Sequence, residues 1–150
     1  MSVSLVDFAD KLHEVMPVVM REFTHRQVDE LRSGKITLSQ FLILDFLQRY
    51  SAARMTDLAR FMQVSTAAMT GLVERLVNYG YAARVLNPND RRIVKVQLTP
   101  KGTEIVKKIY QSRRKMIMDI FGKITHRERQ EYLNVLLHIK EIITEDKGKK

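Results

Sequence analysis

The amino-acid sequence predicts a mainly α (α+β) fold, a winged helix-turn-helix with N- and C-terminal helices that form a dimerisation region. Helical patterns precede and follow one stretch of period-two patterning, and the apolar spacing of a helix-turn-helix stands just before that stretch. We expect an N-terminal helix at 1–35, a winged-helix domain at 36–100 and C-terminal helices at 101–146. Within the domain, the helix-turn-helix is expected at about 55–76 and the wing at about 84–98.

The composition excludes several classes of protein. There are no cysteines among the 150 residues, which rules out disulfides, cysteine zinc sites and thiol redox sensing. No apolar run approaches the roughly 18 residues that a membrane-spanning helix needs, and residues 1–8 lack the basic residue of a secretory signal. We therefore expect a cytoplasmic protein with no membrane partner.

The net charge of +9 is concentrated in one segment of the chain. Residues 75–115 contain 11 basic and two acidic residues, whereas residues 1–74 carry a net charge of −1 and residues 116–150 one of +1. A confined excess of this kind is typical of a surface that faces a polyanion, and double-stranded DNA is the partner we expect. The alternative reading of the charge is a solvated face with spare lysines.

The first segment is predicted to be helical, because apolar residues recur at spacings of three and four. They are Leu5, Phe8, Leu12, Val15 and Val19. Pro17 interrupts this stripe, and an interior proline costs a helix about 3 kcal/mol, so a kink or a break is expected there. Ser33 and Gly34 are predicted to end the segment.

Capping signals indicate where the second and third helices begin. Thr37 and Gln40 form a capping box before an almost wholly apolar run, which predicts a central and buried helix. A short third helix is expected from 55 to 61, with Thr56 as its N-cap.

The third and fourth helices have the spacing of a helix-turn-helix. The fourth is expected to run from its N-cap Ser65 to about Tyr79, with Gly80 as its stop. Counted from Met55, the positions that must be small or buried hold Leu58, Ala59, Met62, Val64, Met69 and Leu72. The ninth position holds Gln63 rather than the usual glycine, a departure that is common in winged variants.

Period-two patterning predicts a two-stranded hairpin after the fourth helix. Residues 85–86 precede a turn signal at 87–90, and apolar residues alternate with polar ones from 93 to 98. Thr99 and Pro100 then supply an N-cap and a first helical residue, so a long helix is expected to follow the hairpin.

The outer helices of the chain have long apolar faces. The helix after the hairpin is expected to reach about Phe121, and Thr125 and Glu128 form a capping box for the last one. One face of that last helix carries Tyr132, Leu136, Ile139 and Ile143. Since no sheet is available to bury these faces, we predict a homodimer in which the outer helices pack across a two-fold axis. A monomeric bundle that buries them internally is the alternative.

The fourth helix is expected to enter the major groove of DNA. Its buried face would carry Met69, Leu72, Val73 and Leu76, which leaves short polar or methyl-bearing side chains exposed near its N-terminus. These are Ser65, Thr66, Ala67 and Thr70. Hydroxyls can bond base edges or phosphates, and methyl groups can contact thymine. Arg75 lies further along and is expected to contact phosphate or to pair with Glu74.

The predicted wing places cations around one acidic residue. Its candidate DNA-contacting residues are Arg84, Asn87, Asp90, Arg91, Arg92 and Lys95. The Asp90 carboxylate is expected to hold Arg92 in a fixed pose, and a fixed guanidinium can enter a narrow minor groove, where the potential is most negative. A plain polar turn with a weak surface ion pair is the alternative.

Four stretches of the sequence resemble the MarR family of bacterial and archaeal transcription regulators. They are residues 38–44 with the preceding threonine, residues 56–76, Gly80-Tyr81 followed by Arg84, and the run from Asp90 to Gly102. The resemblance implies a winged-helix dimer, triangular in outline, that binds a palindromic operator. It also implies that Arg92 reaches the minor groove and that Asp90 orients it. Most members of the family are repressors, and many are released from DNA by a small phenolic or anionic molecule.

Sites of other kinds are less strongly indicated. A ligand cleft would be lined by His13, Met16, Met20, Arg21 and Phe41, although methionines also simply fill cores. No two of the four histidines stand three or four residues apart, so no metal site and no cofactor are expected. Neither a phosphate-binding glycine loop nor a nucleophile motif is present, so we expect no enzyme. The rival function is a winged helix used for protein contacts, without specific DNA binding.

Overall fold

The computed structural model describes residues 3–145, and its chain divides after Ser112 into two compact units. The elements, in order, are α1 (Leu5–His25), α2 (Asp29–Arg32), α3 (Leu38–Tyr50), β1 (Ala52–Arg54), α4 (Met55–Met62), α5 (Thr66–Asn78), β2 (Ala82–Asn87), β3 (Asp90–Leu98), α6 (Pro100–Phe121) and α7 (His126–Glu145). Residues 146–150, for which the polar sequence predicts a frayed end, lie outside the described residues.

The first helix differs from the sequence prediction in two ways. Helix α1 runs through Pro17 without ending, so of the kink or break expected there, the break does not occur. It ends at His25 rather than at Ser33 and Gly34, and the short helix α2 follows as a separate element. The separation has a packing cause, because Val28 and Leu31 lie against the hydrophobic core while α1 has no buried residue.

Helix α3 begins at the predicted capping box. The Thr37 hydroxyl accepts a hydrogen bond from the Gln40 backbone N–H at 3.2 Å, and the Gln40 side-chain oxygen accepts one from the Thr37 N–H at 3.0 Å. The helix buries one side, with Phe41, Ile43, Leu44 and Leu47 in the core. Leu38 is exposed and Leu42 is 36% exposed, so the helix is not buried all round as its sequence suggested.

The helix-turn-helix is present, with two local corrections. The N-terminus of α4 is capped by Asp57, whose carboxylate accepts from the Arg54 N–H at 3.2 Å, and not by Thr56. Val64 is 38% exposed rather than buried, since the turn is anchored from its other side by Met62. Gln63 ends α4 in the left-handed conformation, with φ 55° and ψ 43°, which is the conformation that the usual glycine adopts most easily.

A three-stranded antiparallel sheet in the order β1-β3-β2 supports the wing. Strand β1 was not predicted, because three residues are too short to show a pattern. The pairing places Ala53 opposite Val96 and Ala82 opposite Leu98. Ala53, Val96 and Ala82 are buried, so this face of the sheet packs on the core.

The start of α6 is packed tightly against the beginning of the wing. Thr99 caps the helix, as predicted, by accepting from the Gly102 N–H at 3.0 Å, and its own N–H donates to the Tyr81 carbonyl at 3.1 Å. A Cβ atom at Gly102 would overlap that same carbonyl oxygen. Position 102 therefore requires glycine for the close approach of helix and strand.

Residues 113–145 belong to the second compact unit. The predicted capping box of α7 is present, since the Glu128 carboxylate accepts from the Thr125 N–H at 2.7 Å and the Thr125 hydroxyl accepts from the Glu128 N–H at 3.2 Å. The Arg129 guanidinium donates to the backbone carbonyls of Phe121 and Ile124, which fixes the turn between the helices. The apolar face of α7 is exposed.

Candidate nucleic-acid interface

Helix α5 presents its predicted open face to solvent. Its buried side chains are Met69, Val73 and Leu76, while Leu72 is only half-buried. The side of α5 that packs on the core is therefore narrower than expected, and the opposite side is exposed. Thr66, Ala67 and Thr70 are exposed on that free side.

The two hydroxyls at the start of α5 suit different hydrogen-bonding partners. The Ser65 oxygen accepts from the Ala68 N–H at 3.1 Å, which leaves the Ser65 hydroxyl hydrogen able to donate. The Thr70 hydroxyl donates to the Thr66 carbonyl at 2.9 Å, so its oxygen is left only to accept. Ser65 suits a phosphate or a base acceptor, whereas Thr70 suits a base amino group, or thymine through its methyl.

The wing turn is held by one amide and one carboxylate side chain, each of which accepts a hydrogen bond from the backbone. The Asn87 side-chain oxygen accepts from the Asn89 N–H at 3.0 Å, and the Asp90 carboxylate accepts from the Arg92 N–H at 3.0 Å. Within residues 3–145, no ion pair joins Asp90 to the Arg92 guanidinium. Asp90 therefore holds Arg92 through the Arg92 backbone N–H, and the Arg92 side chain is exposed.

The wing cations lie on two faces of the hairpin. Arg84 lies opposite Val96 on the core-facing side, and Lys95, the neighbour of Val96, lies on the outer side. Arg91 and Arg92 lie where the register of β2 and β3 becomes irregular, next to the turn. The arginines are exposed, as is Asp90, while Asn87 and Lys95 are half-buried. Both faces of the hairpin thus carry positive charge.

Arg75 is exposed on α5, and in the part of the chain that the structure describes it forms no ion pair with Glu74. The sequence left two roles open for Arg75, contact with phosphate and pairing with Glu74. The pairing is not formed, so the Arg75 charge faces solvent.

Sequence reasoning missed one cation near this surface. Arg54 belongs to β1 and lies directly opposite Lys95 of β3. Its position follows from strand pairing over 41 residues of chain, so no local signal could have found it.

The candidate ligand residues are not gathered into one enclosed site. His13, Met16, Met20 and Arg21 are exposed on α1, whereas Phe41 is buried. The Phe41 ring packs edge-on against Tyr110 of α6, with centroids 6.1 Å apart. A cavity lined by the exposed side chains of α1 would need a second molecule to close it, and the ligand site stays a prediction.

An open groove of about 380 Å³ lies beside the start of α6 and is lined by Glu30, Tyr81, Lys101, Glu104, Ile105 and Lys108. The Lys108 ammonium pairs with the Glu30 carboxylate at 3.0 Å, which ties α6 to α2.

Within residues 3–145 no cluster of three or more histidine, aspartate or glutamate side chains could hold a metal ion. None of the helices described is both long and apolar enough to cross a membrane.

Comparison with known proteins agrees with this geometry. The model of the MarR family matches residues 36–94, which cover α3 to the middle of β3. Among curated proteins, the multiple antibiotic resistance protein MarR of Salmonella typhimurium is 34% identical over 76 residues. That match covers 51% of this chain and 53% of the relative, so the chain spans about half the length of that relative.

Solved structures share the fold along almost the whole chain. The YusO protein from Bacillus subtilis covers 93% of this chain and 99% of its own, with a TM-score of 0.75 and 17% identity. A mutant of MarR from E. coli, crystallised with operator DNA, covers 91% and 99%, with a TM-score of 0.64 and 24% identity. At these identities the two structures support the winged-helix fold and not a particular ligand or operator.

Proposed function

Since the chain belongs to the MarR family of winged-helix transcriptional regulators, we propose that it is a repressor that binds a palindromic operator as a homodimer. The observation that carries this proposal is the exposed N-terminal face of α5 beside a wing whose arginines have no acidic partner in the described chain. This surface offers what duplex DNA requires, a helix for the major groove and cations for the phosphates.

Each element of the surface has a distinct proposed role. Thr66, Ala67 and Thr70 read base edges in the major groove, while the Ser65 hydroxyl and Arg75 bond phosphates. Arg92 enters the adjacent minor groove from a backbone that Asp90 fixes. Arg84, Asn87, Arg91 and Lys95 contribute contacts to the sugar-phosphate backbone.

The proposed dimer rests on apolar side chains that the single chain leaves uncovered. Leu5 is 82% exposed on α1, and Leu136, Ile139 and Ile143 of α7 are also exposed. Contiguous apolar faces of this kind mark interaction surfaces, and two-fold pairing of identical chains is the commonest way to cover them. A two-fold dimer presents two α5 helices, which match half-sites about one DNA turn apart.

Release by a small phenolic or anionic molecule is the remaining part of the proposal. It is supported by the likeness to the family and by the exposed His13, Met16, Met20 and Arg21 of α1, which a second copy could enclose near Phe41. The cytoplasm is the proposed compartment, since an operator-binding protein works where the chromosome lies.

The test is selection of bound duplexes from a random pool, followed by binding measurements on the selected site at several salt concentrations. We expect an enriched palindrome and an affinity that falls steeply with salt. Arg92→Ala should weaken binding by about ten-fold or more while sedimentation still shows a dimer. Arg32→Ala, which removes an exposed arginine of α2, is the matched control and should bind as the wild type does.

Two results would refute parts of the proposal. If no duplex is enriched and affinity does not depend on salt, the winged helix serves protein contacts instead. If sedimentation shows a monomer at micromolar concentration, the interpretation of α1 and α7 is wrong. Repeating the selection with phenolic acids present tests the release step, since enrichment should be lost only with the correct class of molecule.

A further inference from the structure

Arg54 and Lys95 are direct neighbours across the ladder of β1 and β3. Side chains in such a position have Cβ atoms roughly 5 Å apart and lie on the same face of the sheet. The preceding pair, Ala53 and Val96, is buried on the core-facing side. Because side chains alternate, Arg54 and Lys95 both lie on the outer side, where Arg54 is exposed and Lys95 half-buried.

Two like charges placed directly opposite each other destabilise a sheet. In residues 3–145 neither cation takes part in an ion pair that would relieve the repulsion. The nearest acidic residue in sequence, Asp57, uses its carboxylate on the Arg54 backbone N–H and on Arg60. The pair therefore lacks the anion that would stabilise it within the protein.

The two strands lead directly into the elements that are expected to contact DNA. Arg54 is the N-cap of α4, the first helix of the helix-turn-helix. Lys95 belongs to β3 and is itself one of the wing cations of the proposed DNA surface. The cation pair is thus continuous with the proposed DNA surface and has the opposite charge to the DNA backbone.

We propose that Arg54 and Lys95 together bind one backbone phosphate of the operator, so that β1 is a third contact region beside α5 and the wing. This rests on the proposed function. A guanidinium offers two parallel donors that fit two phosphate oxygens, and an ammonium adds a point charge from the neighbouring strand. A phosphate between them removes the repulsion that the free protein carries.

The experiment measures binding of the wild-type selected duplex against salt concentration for Arg54→Gln, Lys95→Gln and the double variant. Each single change should weaken binding by about five-fold and lower the slope of log affinity against log salt by up to about 0.9, without changing the selected sequence. Because one phosphate is shared, the double variant should lose little more slope than either single variant. Arg32→Gln, which removes one charge elsewhere, should leave the slope unchanged.

A second readout does not involve DNA. Removing one of two opposed charges should raise the thermal midpoint of the free protein by about 1–3 °C. This gain should be absent in Arg32→Gln, whose side chain pairs with Asp29 at 2.5 Å. A higher midpoint together with weaker DNA binding is the combination that supports the proposal.

Several outcomes would overturn it in distinguishable ways. Unchanged slopes in Arg54→Gln and Lys95→Gln, with binding lost in Arg92→Ala, would exclude the pair and leave the proposed function standing. An additive loss of slope near 1.8 would mean two separate phosphates. If inorganic phosphate raises the thermal midpoint through Arg54 and Lys95, and replacing these residues leaves DNA binding unaffected, the pair is a site for a free anion instead. Absence of any salt-dependent DNA binding by the wild type would refute the proposed function itself.

Discussion

The Tyr110 hydroxyl of α6 donates a hydrogen bond to the Asp45 carboxylate of α3, and the same carboxylate pairs with Arg49 at 3.1 Å. The Asp45 side chain is only 16% exposed, so this contact lies at the edge of the core. It joins the long helix after the wing to the helix that supports the helix-turn-helix.

Tyr110→Phe should lower the free energy of unfolding by about 1 kcal/mol, because it removes a hydrogen bond to a charged acceptor and leaves the ring contact with Phe41 intact. Denaturant unfolding monitored by circular dichroism measures the change. Tyr50→Phe is the control, since the Tyr50 ring packs on Phe46 and its side chain is largely exposed. Equal stability of wild type and Tyr110→Phe would show that the hydrogen bond contributes nothing.

Replacements at Asp90 distinguish a backbone role from a side-chain ion pair. Asp90→Asn keeps an oxygen that can accept from the Arg92 N–H, and it removes a negative charge near DNA. We expect Asp90→Asn to bind the operator as well as the wild type or better, whereas Asp90→Ala should bind several-fold more weakly. Fluorescence anisotropy with the selected duplex gives both values. Equal losses in the two variants would restore the ion pair as the functional contact.

Replacements at Thr70 separate recognition by the methyl group from recognition by the hydroxyl. The hydroxyl already donates to the Thr66 carbonyl, so the methyl is the group left for contact with thymine. Thr70→Val should keep most of the affinity, and Thr70→Ser should lose roughly 1 kcal/mol at one base pair of the site. Repeating the duplex selection with each variant identifies that base pair. If Val changes the selected base and Ser does not, the oxygen is the reading group.

Gln63→Gly should stabilise the free protein by up to about 1 kcal/mol. Gln63 has φ 55°, a left-handed conformation that costs a residue with a side chain more than it costs glycine. The gain in stability is limited because glycine also raises the conformational entropy of the unfolded chain. Thermal unfolding measures the difference, with Gln130→Gly, in the interior of α7, as a control that should be destabilised.

Glu30 should make a small, pH-dependent contribution to stability. Burial raises the pKa of Glu30, but the hydrogen bond from Lys108, a backbone hydrogen bond and the charges of Lys108 and Lys35 together hold the pKa below its ordinary value. A carboxyl group with a lowered pKa stabilises the folded state above its unfolded pKa, and that stability is lost as pH falls through the folded value. Glu30→Gln should therefore be less stable than wild type by about 0.5 kcal/mol at pH 6 and equal to it in strong acid. A difference that persists in acid would point to packing instead.

Features with local causes could be predicted from the sequence. The caps at Thr37, Ser65, Thr99 and Thr125 depend on residues three positions away, and all four are present in the structure. The wing followed in the same way, from a turn signal between alternating segments. These are the elements that carry most of the candidate DNA surface.

Features that depend on distant parts of the chain could not be predicted. Strand β1 exists because β3 pairs with it, so Arg54 could not be placed opposite Lys95 from the sequence. The end of α1 is set by the packing of Val28 on the core. The sequence could not show which group of Arg92 bonds the Asp90 carboxylate. A carboxylate two positions before an arginine can reach either the arginine's backbone N–H or its side chain.

The uncovered apolar stripes of α1 and α7 have a consequence for the cell. If a second copy covers them, folding and DNA occupancy both become functions of how many copies are present, through mass action. The unfolding midpoint should then rise as protein concentration is increased. Under the proposed function, dilution during cell growth would weaken the dimer and its hold on the operator together, so the amount of protein made would set the threshold at which the proposed repression is lost.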